Sequence, residues 1–269
     1  MHMVPVNDVV LHVKELGDKN APALVFSNSL GTDFRVWDRL LEALSPLPFR
    51  TILYDKRGHG LSSAPPAPYQ MSQHVGDLEG LLDHFSITNA IIVGLSVGGL
   101  IAQGLTARRP DLVRALVLSD TAHVIGNAPM WNTRIEAVQS GGIASIEDAI
   151  LERWFSRHFR ENEKTELAGW SAMLTRTPVD GYAGTGAAIR DTDFTATTST
   201  ITIPTLCVVG DEDGSTPPDV VKGLADIIEG SRYSVIKGAG HLPCIEKPET
   251  MAALMTEFFH DYDLLPGGI

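Results

Sequence analysis

The sequence predicts an α/β fold: a mostly parallel sheet with helices on both faces and a helical segment inserted between two of its strands. Three observations carry this expectation. Short apolar, β-branched runs recur along the chain, most of them lack polar alternation, and amphipathic stretches separate them. A strand with one wet face alternates apolar and polar residues, whereas a strand covered on both faces reads as a continuous apolar run.

Residues 9–13 alternate best and are expected in an antiparallel pair at the sheet edge. The runs 23–26, 50–54, 90–93, 115–118, 205–209 and 232–236 read as strands of the parallel sheet. Helical spacing is found in 34–44, 71–85, 100–109, 219–228 and 248–259. In 71–85, Val75, Leu78, Leu81, Leu82 and Phe85 share one face, with Asp77, Glu79 and Asp83 opposite. Pro110 falls shortly after a helix end and Pro248 near a helix start, the usual places for proline. From 122 to 200 the strand pattern stops and helices are expected, for example over 145–155 and 161–174, with threonine-rich 191–202 as a linker back. The chain therefore divides into 1–121, the first part of an α/β core, 122–200, a helical cap, and 201–269, the second part of the core. Such a cap sits at the carboxyl ends of the strands, where open α/β sheets bind ligands.

Composition narrows the function classes. With 269 residues, 43% hydrophobic and 20% charged, the chain suits one large globular unit. Its net charge of −12 repels phosphate backbones, and no basic patch offsets it, so nucleic acid is not an expected partner. Cys207 and Cys244 are too few for a disulfide framework and lack zinc or redox spacing; they read as free thiols in a reducing compartment. The first residues show no signal-peptide pattern, and no apolar run approaches the ~20 residues of a membrane span. A cytoplasmic protein with no membrane partner is expected.

The chemistry is carried by three loops. Gly94-Leu95-Ser96-Val97-Gly98-Gly99 follows a strand and opens a helix, which is the context a GxSxG nucleophile turn requires. A serine hydroxyl needs a base within hydrogen-bond reach, and the base needs an acid to hold its tautomer. In folds with this turn the acid follows a late strand and the histidine follows the last one. Asp213 and His241 occupy those places, in 210–217 and 238–241. Asp211, Glu212 and Asp120 compete for the acid role, Asp120 being the reserve; His59 competes as base but precedes the serine and reads as a turn residue. The oxyanion needs two backbone donors. The N–H of Val97 is the first, and the loop Ser27-Asn28-Ser29-Leu30-Gly31 should supply the second, from Leu30. This chemistry requires neither a cofactor nor a metal, and none is expected.

The whole chain resembles the α/β-hydrolase superfamily. The words VFSNSLGTDFRVWD, YDKRGHGLSS, GLSVGG, WNTRIE, RWF and GYAGTGAAIRD are similar to those of 3-oxoadipate enol-lactonases. Most esterases of the superfamily carry a His-Gly pair where Asn28 and Ser29 stand; Val97 stands where methionine is common, a change that leaves its backbone donor in place. The resemblance implies hydrolysis of a carboxylate-bearing enol-lactone to 3-oxoadipate in aromatic catabolism. Ser96 would attack the lactone carbonyl, the tethered enolate would leave and ketonise, and water activated by His241 would release the product. Arg134, on the cap beside Trp131, is the candidate counter-charge for the carboxylate, and Trp131 a candidate wall of the site. One triad serves many acyl transfers, so a carboxylesterase or cofactor-free perhydrolase is the alternative enzyme, and a non-catalytic receptor retaining the triad the alternative class.

Overall fold

A computed structural model describes residues 1–46 and 48–265, so the last four residues of the predicted third segment lie outside the described ones. The strands are β1 (His2–Val6), β2 (Val9–Leu16), β3 (Ala23–Ser27), β4 (Arg50–Tyr54), β5 (Ala90–Leu95), β6 (Val113–Ser119), β7 (Thr205–Gly210) and β8 (Arg232–Ile236). They form one sheet in the order β1-β2-β4-β3-β5-β6-β7-β8. β1 and β2 pair antiparallel, as do β2 and β4, and the pairs from β4 through β8 are parallel. The expected antiparallel edge pair is thus present, although its outer strand was not foreseen. β1 contains Pro5, which weakens a strand signal and is tolerated only at an edge.

The helices are α1 (Asp38–Ala43), α2 (Met71–His84), α3 (Val97–Arg108), α4 (Ala128–Gly141), α5 (Glu147–Trp154), α6 (Arg157–Asn162), α7 (Lys164–Thr175), α8 (Val179–Arg190), α9 (Thr195–Thr198), α10 (Pro218–Ile227), α11 (Pro243–Glu246) and α12 (Pro248–Asp261). β3, β5 and β7 are buried along their whole lengths, as strands covered on both faces must be. β8 corrects that reading at its position: four of its five residues are partly or fully exposed, because it closes the sheet as the second edge. The segment between β6 and β7 holds only helices, α4 to α9, and the expected helix over 161–174 is interrupted between Asn162 and Lys164.

One expectation fails inside the core. Asp77, assigned to the wet face of α2, is buried. Its carboxylate accepts from the buried Arg57 guanidinium, from Nε at 2.6 Å and from one terminal nitrogen at 2.8 Å, and from Asn7 Nδ2 at 3.2 Å. Helical spacing identifies a stripe of apolar residues but not a polar neighbour whose partner lies elsewhere in the chain. Arg57 also reaches Asp8 at 2.8 Å, so this ion pair ties the turn after β4 to α2 and to the β1–β2 hairpin. A buried pair of this kind contributes little net stability, but losing one partner is costly. Its use here is to fix the turn that carries His59.

Candidate active site

The turn between β5 and α3 forces Ser96 to φ 57° and ψ −119°, a conformation that ordinary side chains rarely adopt. Neighbouring glycines make the turn possible. A Cβ at Gly98 would lie 1.9 Å from the Ser27 carbonyl oxygen, and one at Gly94 would lie 2.5 Å from the Gly98 carbonyl oxygen. The strain is held by the surrounding bonds: the Ser96 N–H donates to the Ser119 carbonyl at 3.0 Å, and Thr121 Oγ1 donates to the Ser96 carbonyl at 2.6 Å. Ser96 retains 7% exposure, and that exposure faces a cavity.

Asp213 lies in the loop after β7 and His241 in the loop after β8, and both are buried. The Asp213 carboxylate accepts from the Ser215 N–H at 2.7 Å, the Thr216 N–H at 3.0 Å, Thr216 Oγ1 at 2.8 Å and His241 Nδ1 at 2.9 Å. With the Nδ1 proton directed at the carboxylate, Nε2 is left as the acceptor nitrogen. His241 Nε2 faces Ser29 Oγ at 3.5 Å, and among the described residues no hydrogen bond joins it to Ser96. Ser96 and His241 nevertheless line one cavity, with Ser29, Leu30, Ser215 and side chains of the helical insertion.

The competing acids are occupied elsewhere. Asp211 accepts from the Gly238 N–H, and Glu212 from the Arg157 N–H. Asp120 is close by: its carboxyl oxygen, an Asp213 oxygen and a His241 ring nitrogen all lie within 4.8 Å of one another. It accepts from the Gly210 N–H at 3.0 Å and from Ser119 Oγ at 2.5 Å. Burial, reinforced by the charge of Asp213, pushes its carboxyl well above the usual carboxylate range. Asp120 is thus a buried carboxyl pushed toward its neutral form beside the Asp213–His241 hydrogen bond.

The N–H groups of Leu30 and Val97 donate to no acceptor among the described residues. The loop carrying Leu30 is held from behind by His59, expected only as a turn residue, and by Lys56, which sequence reasoning passed over. His59 Nδ1 donates to the Arg57 carbonyl at 3.1 Å, which leaves Nε2 to accept from the Gly31 N–H at 3.0 Å. Burial keeps this ring well below the ordinary histidine pKa, as the accepting role requires. Lys56, also buried, donates from Nζ to the Ser29 carbonyl at 2.6 Å, and burial pushes its pKa down to about 7. His59 is more than the turn residue expected from the sequence. The available signal was the loop itself: its glycine and serine backbone groups enter a buried site and must find partners there.

The insertion supplies the opposite wall. Trp131 is buried, its indole N–H donates to the Ile125 carbonyl at 2.7 Å, and the Arg134 guanidinium carbon sits 4.8 Å from the centre of its ring. Arg153, Trp154 and Tyr182 complete the lining, and none of the three was assigned to the site from sequence. The cavity is narrow, about 40 Å³. At roughly 10–15 Å³ per water position it accommodates about three waters. A more open depression of about 660 Å³ lies between α2, α3 and the segment 188–197, away from Ser96 and His241. It is the larger space, but the nucleophile and base candidates are not on its walls.

Known proteins share this architecture. The structure of the enol-lactonase from Burkholderia xenovorans LB400 superposes with a TM-score of 0.93 at 36% identity, covering 96% of this chain and 100% of that one. The 3-oxoadipate enol-lactonase 2 of Acinetobacter baylyi is 34% identical over 242 residues, 90% of each chain. A thermophilic esterase from Thermogutta terrifontis follows at 27% identity with a TM-score of 0.87, covering 94% of both chains. The model of the alpha/beta hydrolase fold matches residues 22–248, a stretch that begins before the Leu30 loop and ends beyond His241. The chain belongs to the alpha/beta hydrolase fold family and resembles 3-oxoadipate enol-lactonases along nearly all of its length.

Proposed function

We propose that this protein hydrolyses an enol-lactone of the 3-oxoadipate type by acyl transfer, with Ser96 as nucleophile, His241 as base and Asp213 as the acid that orients it. The observation that carries this reading is the His241–Asp213 pair at 2.9 Å, opening through Nε2 onto the cavity that Ser96 also lines. In the proposed sequence Ser96 Oγ bonds to the lactone carbonyl carbon as its proton passes to Nε2. Catalytic hydrogen bonds of this kind are often long in a free enzyme and tighten in the substrate complex. The N–H groups of Leu30 and Val97 receive the oxyanion. Collapse breaks the ring C–O bond, and the enolate, tethered to the acyl chain, takes up a proton to become the ketone. Water, deprotonated by His241, then displaces Ser96 and yields two carboxylates. The segment 122–200 serves as the cap, with Arg134 facing the substrate carboxylate and Trp131 forming a wall.

Steady-state assay of the purified chain tests this. Wild type should open the enol-lactone far above its spontaneous rate, and Ser96→Ala should lose at least about 10³-fold while its circular dichroism is unchanged. Rapid turnover of p-nitrophenyl butyrate with the lactone left at its spontaneous rate would replace the lactonase reading with a carboxylesterase.

A further inference from the structure

Arg153 belongs to the RWF word of the resemblance, and the proposed reaction leaves it without a task. Its position is fixed tightly. The Arg153 carbonyl accepts from the Gly214 N–H at 3.2 Å, and the next carbonyl, of Trp154, accepts from the His241 N–H at 2.8 Å. The last turn of α5 is thereby bonded to the two loops that carry Asp213 and His241. From that fixed base the Arg153 side chain enters the cavity lined by Ser96, His241 and Arg134.

Two half-buried guanidinium groups thus share one small cavity. Among the described residues neither Arg134 nor Arg153 forms an ion pair, in a chain whose acids outnumber its bases by 33 to 21. The pair also carries a cost: burial first, and then the charge of Arg134, draw the pKa of Arg153 below its ordinary value. Buried Tyr182 lines the same cavity, and both guanidinium charges act on its hydroxyl. An arginine placed only for solubility would turn to solvent or to one of the many surface acids. Two that converge beside a nucleophile are arranged for an anion, which offsets their repulsion and can take a forked hydrogen bond from each.

We propose that Arg153 and Arg134 form a two-guanidinium clamp for a carboxylate on the substrate, which makes the site selective for short esters and lactones bearing a free carboxylate. Arg153, bonded through its backbone to both catalytic loops, sets the position of that carboxylate relative to the reacting carbonyl. This rests on the acyl-transfer reading of the site but not on the identity of the lactone.

The test compares kcat/KM for mono-p-nitrophenyl glutarate, an anionic ester, with that for p-nitrophenyl butyrate, a neutral one of similar length. In Arg153→Met the anionic-to-neutral ratio should fall about 30-fold, the scale of one charged hydrogen-bonded contact. Arg153→Lys should recover part of it. The double variant with Arg134→Met should lose less than the product of the two single losses, because both groups grip one anion. An unchanged ratio in Arg153→Met overturns the clamp, and so does a parallel loss on both esters, which marks a structural role. Enol-lactone turnover by wild type is scored separately. If the lactone is opened while the ratio is insensitive to Arg153, the clamp fails and the lactonase reading stands; if the ratio depends on Arg153 while the lactone is untouched, the reverse holds.

Discussion

Two carboxyl groups lie beside His241, and their hydrogen-bond donors distinguish them. Asp213 receives four hydrogen bonds, one of them from the imidazole, which is the environment of a carboxylate that must remain charged and oriented. Asp120 receives two, and burial, reinforced by the charge of Asp213, pushes its carboxyl well above the usual carboxylate range. Substitution by asparagine should therefore separate them. Asp213→Asn removes the acceptor for the Nδ1 proton and favours the wrong tautomer, so kcat should fall by about 10³–10⁴-fold. Asp120→Asn puts a neutral group of the same shape where burial already disfavours the charge, and its cost should stay within about tenfold, the scale of a perturbed neutral hydrogen bond. Comparable losses in the two variants would contradict the assignment of Asp213 as the orienting acid. The sequence placed Asp120 at a strand end and Asp213 in the loop after the next strand but offered no means of ranking them by charge state. That ranking depends on Thr216, Ser119 and the Gly210 N–H, and their convergence is a property of the folded chain.

At the scale of elements, what could be read from the sequence was the sheet and its loops. β3, β5, β6 and β7 announce themselves as continuous apolar runs, and Gly94 and Gly98 mark a turn where a side chain has no room. The buried polar frame behind the Leu30 loop was not legible, because Lys56, Arg57, His59 and Asp77 look like surface residues until their partners are known. That frame leaves a thermodynamic trace. Lys56 has a folded pKa of about 7, against roughly 10.4 for an unfolded chain. Between those values the unfolded state holds a proton that the folded state has released, so stability from this group rises with pH across the window. Relative to Lys56→Met, wild type should gain roughly 2–3 kcal/mol between pH 7 and pH 9, at about 1.4 kcal/mol per pH unit. Urea unfolding at the two pH values measures it, and equal slopes for both proteins would mean that Lys56 remains protonated in its buried site.

Across the whole molecule, a strongly acidic chain concentrates two arginines that form no ion pair among the described residues at the cavity beside Ser96, so the proposed anionic substrate would meet long-range repulsion and a short-range attraction at the cavity. No helix among the described residues is long and apolar enough to cross a membrane. The cavity, at about 40 Å³, is small against the proposed lactone, so binding is expected to displace part of its lining. The bonds from Gly214 and His241 to the end of α5 decide which part. A rigid swing of all the helices between β6 and β7 would pull on the loops of Asp213 and His241, so α5 is expected to remain with the sheet. The side expected to yield is then the one formed by Ile125, Met130 and Trp131, ahead of and within α4. Hydrogen exchange should find the amides of Gly214 and His241 protected like those of the central strands, and the amides of α4 opening sooner; the opposite order would mean that the wall behind the imidazole is the one that moves. A doorway that opens on one jamb only has a further result. On the proposed assignment, changes of ligand preference could accumulate in α4 without disturbing the Asp213–His241 line, whereas a change in the backbone path of α5 would alter recognition and chemistry together.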